Sequence, residues 1–153
     1  MSPSLRTAAV IAVIAGPALV GCALDPAATP PNPVRSSFET SVYPVLLRDC
    51  GFPACHGNED RFFRVYGPGR TRLDPTAPGD MPLDAEIDAS YERARSMLSG
   101  VDQASDSLLL RKPLEVDRGG APHLGIDDSG RDVYGSPDDP GYAAILTWSE
   151  TGF

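Results

Sequence analysis

"RDCGFPACHGNED", residues 48–60, holds two of the chain's three cysteines and one of its two histidines within seven positions. Cys50 and Cys55 are separated by Gly51-Phe52-Pro53-Ala54, and His56 follows the second cysteine directly. Gly51 and Pro53 stop a helix and suit a loop. The stretch therefore reads as a helix end followed by a loop that returns two sulfurs and an imidazole to one place.

Three chemistries fit that inventory. Two close thiols in an oxidising compartment form a disulfide, which leaves His56 without a role. A zinc site could use both cysteines, His56 and His123, but zinc wants four ligands in a tetrahedron. The adjacent side chains of Cys55 and His56 diverge, which is awkward for one ion. Covalent attachment of a c-type haem gives the adjacent residues different targets. Both cysteines bond to the porphyrin edge and the next histidine binds the iron. The usual spacing there is two residues, so the four found here must loop outward.

The flanking sequence sets the compartment. "MSPSLRTAAVIAVIAGPALVGC" places Arg6 before an apolar run through Val20, the layout of a secretory signal peptide, and the run is short for a membrane span. Its end, Leu19-Val20-Gly21-Cys22, resembles the lipobox of bacterial lipoproteins. That resemblance makes Cys22 the lipidated N-terminus after removal of residues 1–21, and Ala23 next to it points to the outer membrane. Without residues 1–21 the chain keeps 12 basic and 21 acidic side chains, a net charge of −9. Such a surface argues against nucleic acid and against anionic lipid, leaving the lipid anchor as the membrane contact. It suits a basic partner protein.

The 15 glycines and 16 prolines make about a fifth of the chain, against about 12% on average. This predicts a mostly α domain of three to four short helices joined by long Gly/Pro-rich loops. A bound prosthetic group could supply the missing apolar mass. "ALDPAATPPNPVR", residues 23–35, reads as an extended tether that could span roughly 40 Å. The domain then occupies 36–153. Its first helix is "SSFETSVYPVLLRDC", with Ser36 and Glu39 at capping-box spacing and Phe38, Val42, Val45 and Leu46 on one stripe. Pro44 within it predicts a kink or a helix start closer to it. Residues 62–74 predict a small β-hairpin about Gly67-Pro68-Gly69. A second helix is expected from about Ala89 to Ser99 with Gly100 beyond it, and a short one in "SDSLLLRKPL" before Pro113. Residues 115–138 form a long loop. The last helix starts with Asp139 as N-cap and Pro140 at N1, carries Tyr142, Ile145, Leu146 and Trp148, and ends at Gly152.

These elements together resemble the small cytochrome c domains of exported myxobacterial and planctomycete proteins, over about residues 38–152. The resemblance lies in Phe38, Val42-Tyr43-Pro44-Val45-Leu46, Cys50, Cys55-His56-Gly57, the block 107–114, and Tyr142 to Trp148 with Gly152. It implies a cytochrome c-like fold with one haem c, held by Cys50 and Cys55 and ligated proximally by His56. Members usually carry a histidine followed by glycines before the last block, which here is Pro122-His123-Leu124-Gly125. His123 is accordingly the expected distal ligand, with Met81 in Gly79-Asp80-Met81-Pro82 as the alternative. The implied role is electron carriage between exported or membrane redox partners, not enzymatic turnover. The competing reading is a haem-free surface lipoprotein with a Cys50–Cys55 disulfide, serving as a protein-binding module. A five-coordinate haem sensor or peroxidase-like site is a third. Arg111 or Lys112 could pair with a haem carboxylate. Residues 127–132 fail the calcium-loop pattern, which wants Gly at position 6 and Glu at position 12. No nucleophile motif stands near either histidine.

Overall fold

The computed structural model describes residues 29–77, 79–123 and 132–153. Helices are α1 (Arg35–Ser37), a π segment (Phe38–Val42), α2 (Tyr43–Asp49), α3 (Asp84–Ser96), α4 (Leu108–Arg111) and α5 (Pro140–Glu150). Single 3₁₀ turns occupy Ala104–Asp106 and Val116–Arg118. The fold is mostly α, as the composition and periodicity predict. Among the described residues no helix is long and apolar enough to cross a membrane.

α1, the π segment and α2 run on as one helix. The widened turn is where Pro44 is absorbed: proline has no N–H to return to the preceding turn, and Tyr43 N–H instead reaches back to Phe38 O. The disturbance expected at Pro44 thus takes the form of a π turn, with α2 beginning at Tyr43 beside the proline. The extra residue rotates the buried stripe, so Tyr43 and Cys50 join Phe38, Val42 and Leu46 inside, while Val45 is only partly buried. Ser36 lies within the helix and makes no cap.

α3 starts at Asp84, five residues before the expected start. Glu86 is the reason: its carboxylate accepts from Leu83 N–H at 3.0 Å and holds the first turn. α5 matches its expectation, with Asp139 Oδ1 accepting from Gly141 N–H at 2.9 Å and Pro140 at N1.

The expected hairpin over 62–74 is absent. Among the described residues there is no strand, only isolated bridges at Tyr66–Thr71 and Leu114–Tyr134. The backbone donors that would form a ladder are engaged elsewhere. Val65 N–H goes to His56 O, Tyr66 N–H to Ser90 Oγ and Leu73 N–H to Glu86 Oε1.

The core gathers where α5 crosses the π segment. Phe38 lies 5.1 Å from Trp148 and 5.5 Å from Tyr91, ring centre to ring centre. Such aromatic pairs contribute about 1 kcal/mol each beyond the area they bury. Residues 30–34, counted with the tether on composition, are packed as a strap. Pro33 is buried, Tyr91 Oη–H donates to Pro33 O at 2.7 Å, Trp148 Nε1–H to Val34 O at 3.0 Å and Arg95 Nε–H to Pro31 O at 2.8 Å. The strap passes so close to the C-terminus that a Cβ on Gly152 would stand 2.7 Å from the Pro33 ring. Packed chain therefore begins near Pro30, ahead of the boundary at 36.

Candidate functional site

His56 is delivered by the loop after α2. His56 N–H donates to Cys50 O at 2.9 Å, Cys55 N–H to Phe52 O at 2.8 Å and Gly57 N–H to Phe52 O at 2.9 Å. With two residues between the cysteines, the histidine would stand four after the first, and the same bond would be an ordinary helical one. Here that closure is kept across six residues, and Phe52, Pro53 and Ala54 are pushed out to solvent. Gly57 is required: a Cβ there would come within 2.2 Å of Gly51 O.

The His56 ring is oriented by Phe63. Its Nδ1 lies 2.9 Å from Phe63 O, and a carbonyl only accepts, so Nδ1 carries the proton and Nε2 keeps a free lone pair. The Phe63 ring packs against the imidazole edge, centroids 4.7 Å apart.

His123 arrives from the segment that follows the 3₁₀ turn at Val116–Arg118. Ala121 N–H donates to Arg111 O at 2.8 Å and Lys112 Nζ to Pro122 O at 2.7 Å, which ties the segment to the end of α4. The glycines that allow this precede the histidine. Gly119 has φ +96°, and a Cβ on Gly120 would overlap Leu114 O. The Leu124-Gly125 pair and most of the 127–132 acidic run lie outside the described residues.

The two imidazoles stand with centroids 5.8 Å apart and planes within 13° of parallel. An apolar cavity of about 260 Å³ opens against them, walled by Leu46, Phe63, Met97, Leu109, Val133 and Ile145. Cys50 and Cys55 line it too. A second cavity of about 220 Å³ shares Cys55, His56, Arg61, Lys112 and His123 with the first. The site thus joins an apolar wall to two cationic side chains, Arg61 and Lys112, which border both cavities.

Burial pushes the proton affinity of both histidines below the ordinary value. For His56 the bond to Phe63 O opposes this, and for His123 the charge of Asp132 does. Both are therefore neutral at pH 7, the form that donates a lone pair to a metal. His123 Nδ1 is buried with no hydrogen-bond partner among the described residues. Burial pushes the Cys50 thiol up to about 12. It stays protonated near neutrality, which does not suit an activated nucleophile. Cys50 and Cys55 are not bonded to each other.

No family model, curated protein or solved structure matches this chain.

The other candidates fall away from the histidine pair. Met81 is 76% exposed and borders neither cavity. Its carbonyl accepts from Arg72 at 3.2 Å, which fixes the backbone and leaves the side chain in solvent. Tyr142 and Trp148 are core and do not line the cavity, whereas Met97 does. Arg111 is exposed, while Lys112 borders both cavities. Among the described residues no three His, Cys, Asp or Glu side chains converge to hold a metal ion, so a zinc cage gains no support. Cys22 and the rest of 1–28 lie outside the described residues. Arg61 and the Phe63 carbonyl were not singled out in the sequence. Their only signal is closeness to His56, in a stretch that otherwise resembles a strand.

Proposed function

We propose that this chain is an exported, lipid-anchored monohaem c-type cytochrome that carries single electrons between redox partner proteins. One observation carries the reading. Two neutral imidazoles face a common apolar cavity at 5.8 Å, and both thiols of the Cys50–Cys55–His56 stretch lie on its wall. His56 and His123 would together hold the iron.

The residues fit haem c in their chemistry. Cys50 and Cys55 would each add S–H across a vinyl double bond: sulfur bonds to one carbon, the proton ends on the next, and nothing leaves. His56, its Nδ1–H held by Phe63 O, would offer Nε2 as proximal ligand, and His123 would be distal. Arg61 and Lys112 supply positive charge for the carboxylates, and the apolar wall excludes water. The bound group supplies the one-electron couple; the protein sets its potential through the two histidines and the burial. Two histidines give a lower potential than a His/Met pair. No substrate is transformed in this role.

The test is the intact mass and spectrum of the mature protein expressed with haem-attachment machinery. One covalent haem and a low-spin spectrum are expected. His123→Ala should convert that spectrum to high-spin, and Met81→Ala should leave it unchanged. A haem-free product with two oxidised thiols would instead establish the disulfide-bonded lipoprotein, and a spectrum indifferent to His123→Ala would remove His123 as ligand.

A further inference from the structure

The four-residue insert Gly51–Ala54 lacks the helical bonds that a two-residue spacing would supply, so something else must set its path. We propose that Arg70 is the positioning residue that holds this insert and thereby aligns Cys55 and His56 for haem attachment; this rests on the haem reading above.

Arg70 lies across the outer side of the insert. Its guanidinium carbon sits 4.2 Å from the centre of the Phe52 ring. Its stem covers Gly51, with Cδ 3.1 Å from where a Cβ would be. Nε–H donates to Leu47 O at 2.7 Å, one of the carbonyls left open at the end of α2. Nη1–H donates to Gly69 O at 2.8 Å. One planar side chain therefore joins the helix end, the insert and the Gly67–Thr71 turn, a geometry lysine cannot reproduce.

The turn that carries Arg70 is itself anchored at both ends of the motif. Arg70 N–H and Gly67 N–H close it onto Gly67 O and Thr71 O. Tyr43 Oη–H donates to Tyr66 O at 2.7 Å beside it. Gly67 has φ +154°, and a Cβ there would come within 2.4 Å of Tyr43 Oη. The next residue, Thr71, donates through Oγ1 to Gly57 O, just past His56. Arg70 thus braces the entry to the insert and Thr71 braces its exit. The extra residues that loosen the cysteine spacing are held from outside.

The experiment pairs Arg70→Leu with deletion of Phe52-Pro53, which restores the two-residue spacing. Thioether number is read from the pyridine haemochrome band, which moves to longer wavelength when one bond is missing, and melting temperature is followed alongside. In the full-spacing protein, Arg70→Leu is expected to leave most molecules with a single thioether, and Arg70→Lys to rescue only a minor fraction. In the shortened protein, Arg70→Leu should keep both bonds. Equal two-thioether yield from Arg70→Leu at full spacing overturns the proposal while leaving haem in place. Equal loss at both spacings also overturns it, because Arg70 would then be needed for stability alone. A wild type without covalent haem overturns the function and this inference together. In haem-free protein, Arg70→Leu should raise the alkylation rate of Cys55 severalfold, and an unchanged rate counts against the brace.

Discussion

Glu86 shows how one side chain can organise a loop. It has no exposed surface, yet it accepts from Arg72 Nε at 2.7 Å, Leu73 N at 3.1 Å and Leu83 N at 3.0 Å. Burial alone would push its carboxyl up. Arg72 and the two backbone donors outweigh that and hold it below the usual value. Its stabilising contribution is therefore complete above its ordinary pKa of 4.5 and is lost as pH falls through the lower folded value. Glu86→Gln leaves the Arg72 guanidinium, 14% exposed, without its counter-charge. It should reduce unfolding free energy by about 3 kcal/mol at pH 7. It should also flatten the loss of stability below about pH 4.5, as urea titrations across pH would show. Nothing in "LDPTAPGDMPLDAE" marks Glu86 as buried, because its partners come from both flanks of the loop.

Among the elements, α5 was the most legible. Asp139, Pro140 and the apolar spacing of Tyr142, Ile145 and Trp148 are local signals, and local physics decides them. Asp139→Ala should cost about 1 kcal/mol in chemical denaturation, since one first-turn N–H loses its acceptor. The stretch 62–74 went the other way. Its composition favours a hairpin, but His56 O, Ser90 Oγ and Glu86 Oε1 take its donors. Pro44 was legible as a disturbance, and only the helix packing decided that it would be absorbed as a π turn and would turn Tyr43 inward.

At the scale of the molecule, the strap of residues 30–34 closes over α3 and α5. Four hydrogen bonds of 3.0 Å or shorter hold it: Tyr91 Oη–H to Pro33 O, Trp148 Nε1–H to Val34 O, Arg95 Nε–H to Pro31 O and Val34 N–H to Thr151 Oγ1. At about 1 kcal/mol each, a chain starting at Arg35 should be less stable by about 4 kcal/mol than one starting at Pro30. The chain starting at Pro30 should match the full chain in urea unfolding.

Helix content, the caps of α5, the stop after Cys50 and the grouping of two thiols with His56 could be read from the chain alone. Each depends on neighbours within a few positions. The distance and near-parallel setting of His56 and His123, the place of Arg61 beside them, the brace from Arg70 and the burial of Glu86 could not. Each joins segments far apart in the chain, and their contact energy exists only once α2, α4 and the loops between them have packed. In "RDCGFPACHGNED" the chain itself set which groups are present. The tertiary structure decided that Phe52, Pro53 and Ala54 turn outward, because only the closed fold brings Arg70 against Gly51 and Phe52 and Thr71 against Gly57.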